Sequence, residues 1–460
     1  MDMNNLILNT DSYKTSHYEQ YPDGTTMVNS YIEARGSSDP TITKSVFFGL
    51  QMFIKEYLQT PVTMADVEEA REVLEAHGVP FNEEGWKYIV TEHNGYLPIE
   101  IDAAPEGTPI DLQNVLVQVR NTDPNVPWLT SYVETMLLRA VWYPTTVATN
   151  SWMIKQELKR YAHKSGSDSD VSFKLHDFGA RGVSSLESAG IGGLAHLVNF
   201  AGTDTLAAIM AGREYYNEPM AGFSIPASEH STITVWGEDN EAQAYANMLT
   251  KFARPGSLLA CVSDSYDIYN AASNLWGGKL KQQLLDSGAT LVVRPDSGDP
   301  TIVPVEIIER LMEKFGYTTN TAGYKVLPES IRVLQGDGIN IDSIKEIIAN
   351  MDDRKLALDN IAFGMGGALL QHMNRDTLQF AMKASYATIN GNGQDVYKRP
   401  VGDKGKASKR GVLSLNQGGG RFFTRQRWDA VGDNVLRPVY RNGELLTEQD
   451  FADVRARSEA

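Results

Sequence analysis

Cysteine is all but missing: the 460 residues contain one, Cys261. An intrachain disulfide is therefore excluded, and the eight scattered histidines offer no Cys/His spacing for a structural zinc site. A reducing, cytoplasmic setting is the expectation. Long apolar runs are missing too. The start, Met1-Asp2-Met3-Asn4-Asn5, has neither a basic region nor an apolar stretch of signal-peptide length, and no later run approaches a bilayer span. The expected chain is soluble, with no membrane partner. Positive charge is in deficit, with 42 Lys and Arg against 58 Asp and Glu and a net charge of −16. Such a field repels nucleic acid and anionic lipid unless a local basic patch reverses it, so no nucleic-acid partner is expected. Repeats, low-complexity tracts and long polar linkers are absent as well. What is present is 42% hydrophobic and 22% charged residues, enough for a large core in two domains or one elaborated one.

The pattern changes near Ser165 to Asp170. Before it, helical stretches (Met64 to Ala76, Trp128 to Val141, Ser151 to Ala162) mix with strand-like runs such as Gln113 to Val119, an α+β reading. After it, short apolar runs recur, each ending in a polar or glycine cluster and most followed by a helical pattern. These runs are Phe173 to Leu175, His196 to Phe200, Gly222 to Ile225, Leu258 to Val262, Thr290 to Val293, Ile331 to Leu334 and Asn360 to Phe363. Polar clusters at successive strand ends predict parallel β/α units converging on one face, as at the active face of a β/α barrel. We favour the barrel over an open doubly wound sheet, although strand order is not written in one sequence. Ser343 and Glu346 have capping-box spacing before Ile344, Ile347 and Ile348. From about Asn374 the chain turns basic and glycine-rich. The division read from these changes is an α+β domain of residues 1–165 with 375–460, and a β/α barrel of 166–374.

The clusters carry the chemistry. Gly336-Asp337-Gly338 and Gly364-Met365-Gly366-Gly367 each lie between a strand and a helix, where glycine allows close backbone approach and N–H groups suit phosphate. Tight turns need glycine anyway, and neither cluster matches a Walker or dinucleotide pattern. Asp264, Asp267, Asp296 and Asp299 can bind Mg²⁺, hold sugar hydroxyls or stabilise a cationic sugar, or they can cap helices, the plainer reading for Asp299 and Asp264. Arg181 and Arg294 either contact phosphate or neutralise these carboxylates. His230 is a general base, a phosphoryl acceptor or a structural imidazole. Lys398, Arg399, Lys404, Lys406, Lys409 and Arg410 form a basic run that is either solvated or set over a polyphosphate.

Taken together the clusters form a recognisable set. Thr10-Asp11-Ser12-Tyr13-Lys14, His176-Asp177-Phe178-Gly179-Ala180-Arg181-Gly182, Gly202-Thr203-Asp204-Thr205, Glu229-His230-Ser231-Thr232, Ser263-Asp264-Ser265-Tyr266-Asp267, Arg294-Pro295-Asp296-Ser297-Gly298 and Gln335-Gly336-Asp337-Gly338 closely resemble the nicotinamide phosphoribosyltransferase family, over almost the whole chain and in the same order. The resemblance implies a type II phosphoribosyltransferase: an irregular β/α barrel with a second α+β domain built from both chain ends. It implies a homodimer with shared active sites that acts on nicotinamide and phosphoribosyl pyrophosphate with Mg²⁺, and ATP as phosphoryl donor to His230.

Residue by residue, the likeness puts Phe178 and the partner subunit's Tyr13 on the two faces of the pyridine ring, Asp11 and Asp204 near the carboxamide, and Arg181 and Arg294 in the nucleotide site. Asp296 becomes the ribose and Mg²⁺ neighbour, with Asp267 beside His230. Gly336, Asp337, Gly366 and Gly367 surround the ribose and its phosphate, while Arg35, Arg375, Lys383, Lys398 and Lys406 surround the remaining phosphates. Ala180, Met365 and Ala368 depart from the family pattern. A carboxylate at Asp204 beside the base is expected to repel nicotinate by roughly 4 kcal/mol at about 4 Å and an effective dielectric near 20, about a thousandfold discrimination, whereas an Asp204 that merely caps a helix gives no such preference. The alternatives are a nicotinate-using relative and a catalytically silent interaction protein on the same fold.

Overall fold

The computed structural model describes residues 5–402, 407–427 and 433–460. The chain divides into two compact units, Met1–Thr149 with Ala211–Pro219 and Met373–Ala460, and Asn150–Met210 with Met220–His372. No helix among the described residues is long and apolar enough to cross a membrane.

The first unit is built on a seven-stranded antiparallel sheet in the order Asn392–Asp395, Phe380–Ile389, Thr25–Ala34, Val115–Asn121, Ile99–Ala103, Arg437–Arg441, Glu444–Leu445. Ile32, Val117, Val119, Ile99 and Ile101 lie in one buried apolar cluster with Val67, Ala70 and Leu74 of the helix Met64–His77 and Trp86 and Ile89 of the helix Glu83–Glu92. Trp86 anchors that layer, edge-on to Trp128 at 5.3 Å and to Tyr132 at 5.1 Å. The expected strand Gln113 to Val119 begins and ends two residues later, at Val115–Asn121. The two helices expected at Trp128 to Val141 and Ser151 to Ala162 resolve into a short turn, Leu129–Tyr132, and one helix, Glu134–Ser165, in which the division between units falls.

The second unit holds a parallel six-stranded sheet in the order Gly202–Thr203, Leu175–Asp177, Ile361–Met365, Ile331–Gln335, Thr290–Arg294, Leu258–Val262. Both outer strands meet one further segment: Gly202 pairs with Phe223, and Ala227 with Ala260, each through a single parallel bridge. The sheet thereby curls into an irregular barrel with a seam at residues 223–227. Continuous burial of Leu259, Cys261, Leu291, Val293, Ile331, Val333, Ile361 and Phe363 follows from helices covering the outer face. Val303–Phe315 turns Val305, Ile308 and Met312 inward, and Ile341–Asp353 does the same with Ile344, Ile347, Ile348 and Met351, a helical spacing in both cases.

Three expectations are corrected here. His196 to Phe200 is no strand: His196 lies in the last turn of the helix Leu186–Leu197, and the strand is the two-residue Gly202–Thr203. Gly222 to Ile225 contributes isolated bridging rather than a ladder strand. The helix after Gly338 starts earlier than Ser343. Its N-cap is Asn340, whose side chain accepts from Asp342 N and Ser343 N, while Ser343 Oγ accepts from Asn340 N at 2.9 Å. Asn340→Ala is therefore expected to cost about 1 kcal/mol, read as a lower urea midpoint for this unit, whereas the exposed Glu346→Ala leaves the midpoint unchanged.

Candidate active site

The residues after each barrel strand gather at one mouth, because parallel strands all end on the same side. Phe178 follows the strand Leu175–Asp177 and is held there by its N–H on Met365 O at 2.9 Å. Its ring lies over two positions that lack a side chain. A Cβ on Gly364 would fall deep inside van der Waals contact with Phe178, and one on Gly336 would lie 3.5 Å from Phe178 Cε2. Ala260, Val292, Leu334 and Ile225 complete this small apolar floor. The Arg294 guanidinium carbon stands 5.7 Å from the ring centroid. One face of Arg294 is committed, Nη2 to Asp296 Oδ2 at 2.8 Å and Nη1 to Ser228 O at 3.4 Å, while its buried Nε has no hydrogen-bond partner.

The carboxylates divide by partner. Asp177 is fully buried, accepting from Gly179 N at 2.7 Å and Thr203 Oγ1 at 3.3 Å, so it shapes the Phe178 loop rather than facing ligand. Burial pushes its carboxyl up, against these hydrogen bonds. Asp204 projects from the end of Gly202–Thr203, where His176 Nε2 reaches its Oδ1 at 2.9 Å and Ser224 donates to the same oxygen. Partial burial pushes Asp204 up, but hydrogen bonds from His176 and Ser224 and the charge of Arg294 outweigh it, so its net shift is below the ordinary carboxylate range. Asp299 accepts from Thr301 N at 2.9 Å, closing the turn before the helix Val303–Phe315.

His230 opens the one-turn helix His230–Thr234, and its Nε2 lies 3.0 Å from Asp264 Oδ1. This corrects two readings: the carboxylate bonded to the imidazole is Asp264, and Asp267 instead caps the next helical turn, accepting from Tyr269 N at 2.9 Å and Asn270 N at 3.0 Å. Gly366 precedes the short turn Gly367–Leu370, and a Cβ on Gly182 would come 3.4 Å from Gly367 Cα, so the turn Ala180–Gly182, which carries the exposed Arg181, passes close to Gly367. Asp337 stands exposed between Gly336 and Gly338, the latter at φ 67°.

The first unit assembles its own candidates. Asp11 accepts from Thr135 Oγ1 at 2.6 Å, and Tyr13, 61% exposed, packs edge-on to His17 at 5.3 Å. Lys383, half-buried on Phe380–Ile389, feels Lys398, Arg35 and Arg375; burial first, and then these charges against the pull of Glu134, lower its pKa. Those four cations therefore form one positive cluster in an acidic chain. Lys409 is committed elsewhere, paired with the buried Glu33, and Arg410 lies 3.8 Å from Asp395. Lys406 and Lys404 lie outside the described residues. His176 and Ser224 stand outside the expected set of site residues. The signal for His176 was its place in a strand, one residue from Asp177 and therefore on the other face; Ser224 carried none.

The family model described as Nicotinate phosphoribosyltransferase (NAPRTase) family matches residues 173–444, and that described as Nicotinamide phosphoribosyltransferase, N-terminal domain, matches residues 5–101. A Nicotinamide phosphoribosyltransferase of Xanthomonas campestris pv. campestris is 50% identical over 100% of this chain and 99% of its own length. The chain belongs to the nicotinamide phosphoribosyltransferase family. A second member, the Nicotinamide phosphoribosyltransferase of Acinetobacter baylyi, is 32% identical over 97% of this chain and 95% of its own. The fold of this phosphoribosyltransferase is also that of the crystal structure of nicotinate-nucleotide pyrophosphorylase from Pyrococcus furiosus, with a TM-score of 0.65 at 16% identity, covering 100% of this chain and 95% of that one.

The seat of Phe178 makes a test for this phosphoribosyltransferase. Gly364→Ala is expected to drive the ring from its floor and lower turnover at least about tenfold, on the scale of a displaced binding group, with an unchanged far-UV spectrum. Gly182→Ala meets only ordinary contact at 3.4 Å and is expected to stay close to wild type. Steady-state phosphoribosyl transfer checks both.

Proposed function

We propose that this enzyme joins nicotinamide to phosphoribosyl pyrophosphate, giving nicotinamide mononucleotide and pyrophosphate. Asp204 carries the reading. It stands in the barrel mouth that holds Phe178, with Oδ1 taken up by His176 and Ser224 and Oδ2 without a hydrogen-bond partner among the described residues. An ionised carboxylate accepts from a carboxamide NH₂ and repels the carboxylate of nicotinate. The two relatives, both nicotinamide phosphoribosyltransferases, point to the same base. Phe178 offers one aromatic face to the pyridine ring, and Tyr13 of a second subunit the other, in a homodimer with shared sites. A cytoplasmic place of action suits the single, buried Cys261.

The chemistry needs no general base, because the pyridine nitrogen attacks with its own lone pair. The barrier lies in expelling pyrophosphate from a carbon that gains oxocarbenium character. The glycine turns at Gly336 and Gly366-Gly367 offer backbone N–H groups to the ribose phosphate, with Asp337 at the ribose hydroxyls. Arg181 and Arg294 contact the nucleotide, while Arg35, Arg375, Lys383, Lys398 and Lys406 hold departing phosphates. No three His, Cys, Asp or Glu side chains among the described residues are arranged to hold a metal alone. A Mg²⁺ carried on substrate phosphates needs only one or two carboxylates plus water. Asp296 fits that need, since Oδ2 is on Arg294 and Oδ1 faces the Gly336 turn. When bound, Mg²⁺ supplies charge neutralisation of the leaving diphosphate.

His230 has no proton to abstract in this reaction, and we assign it the phosphoryl group of ATP. With Asp264 accepting from Nε2–H, the lone pair resides on Nδ1, which forms the N–P bond as the bond from phosphorus to the ADP oxygen breaks.

Mass spectrometry of the protein incubated with nicotinamide or nicotinate, phosphoribosyl pyrophosphate and Mg²⁺ tests the reading. Nicotinamide mononucleotide is expected; its absence with and without ATP overturns the proposal. Asp204→Ser is expected to admit nicotinate, and an unchanged preference overturns the electrostatic account. With ATP labelled at the γ-phosphate, the wild type is expected to take up acid-labile, alkali-stable phosphate that His230→Ala lacks. Equal labelling of both would place the phosphoryl group elsewhere.

A further inference from the structure

We infer that His176 and Ser224 are positioning residues for base selection: both bind Oδ1 of Asp204, fixing the carboxylate so that Oδ2 is the one acceptor offered to a carboxamide N–H. The inference rests on the reading of Asp204 given above and adds what makes that carboxylate selective.

The two donors reach Asp204 from different parts of the barrel. His176 belongs to the strand Leu175–Asp177, and Ser224 to the seam at residues 223–227. His176 stands in register opposite Gly202 on the neighbouring strand. A Cβ on Gly202 would lie 2.7 Å from His176 Nδ1, so the missing side chain there is what lets the imidazole lie across the strand and reach Asp204 at 2.9 Å. A carboxylate accepts only, so the Nε2 facing it carries hydrogen, as does the Ser224 hydroxyl.

These bonds orient a side chain rather than hold the fold. The Asp204 backbone is already fixed, with its N–H on Asp177 O at 3.0 Å. The carboxylate itself remains 45% exposed, unlike the fully buried Asp177 next to His176. Two donors on one oxygen restrict rotation about the terminal bond, so a ligand binding Oδ2 does not have to order the group first. They also favour the ionised form, helped by Arg294 and opposed by partial burial. Both effects favour a carboxamide, and the second disfavours a carboxylate.

The test compares kcat/KM for nicotinamide and for nicotinate at saturating phosphoribosyl pyrophosphate in the wild type and four variants. Ser224→Ala removes one donor from an exposed position, and His176→Phe removes the other while keeping a ring. Gly202→Ala leaves His176 in the chain but puts a methyl group in its path. Each is expected to raise the nicotinamide KM and lower the nicotinamide-to-nicotinate ratio about tenfold, the scale of one hydrogen bond to a charged group. The KM for phosphoribosyl pyrophosphate is expected to stay within about twofold. His176→Gln, whose amide N–H can take the place of Nε2–H, is expected to keep the ratio within about threefold of wild type. If Ser224→Ala, folded by circular dichroism, keeps the wild-type ratio, or if kcat falls for both bases with the ratio intact, the positioning role is overturned. A wild type that itself prefers nicotinate overturns the substrate reading instead, so the two failures are distinct.

Discussion

Two missing β-carbons set the layout of the barrel mouth. Protein interiors fill space to crystal-like density, so a ring the size of Phe178 has a seat at the mouth only because Gly336 and Gly364 vacate it and Ala260 and Val292 stay small. Once the ring is seated, its surroundings are constrained. Arg294 lies against its π-face, Asp296 pairs with Arg294, and the Asp296 oxygen left over faces the Gly336 turn. An apolar plate, a cation, an anion and a glycine turn thus follow in sequence from one packing decision.

Charge in this molecule is organised by commitment more than by number. Asp177 and Asp267 accept from backbone N–H groups of their own loops, Asp177 also from Thr203, and so shape the chain locally, whereas Asp204, Asp264 and Asp296 bond to histidine or arginine side chains at the strand ends. The same division applies to the cations. Lys409 neutralises a buried glutamate, while Lys383 is depressed by burial first and then by the nearby charges of Lys398, Arg35 and Arg375, the last of which is itself paired with the exposed Asp376. A net charge of −16 is therefore compatible with a local polyanion site.

The parallel β/α series and the gathering of polar strand ends were legible in the sequence, because apolar runs followed by polar or glycine clusters recur at five of the six barrel strands. The failures have physical causes. His196 to Phe200 is an apolar run too short for periodicity to separate strand from helix end, and burial of both elements makes them alike. Asn340 and Ser343 are both good capping residues, and which one leads depends on where the turn at Gly338 releases the chain. Asp264 and Asp267 lie three residues apart on one loop, so composition alone does not say which faces His230. The hydrogen bond from Ser224 belongs to a seam with one bridge at each edge, where there is no ladder pattern to read.

The division of the chain bears on how the protein is made. The first unit is written in three pieces, and its Thr25–Ala34 strand takes its partner from Phe380–Ile389. During synthesis the barrel segments emerge in full before that partner exists, so the antiparallel sheet waits with an open edge while the barrel can already close. Long-range pairing of this kind is slow and leaves unpaired strand edges open to association. Synthesis thus delivers the middle of the chain whole before it supplies the last piece of the unit in which the chain begins.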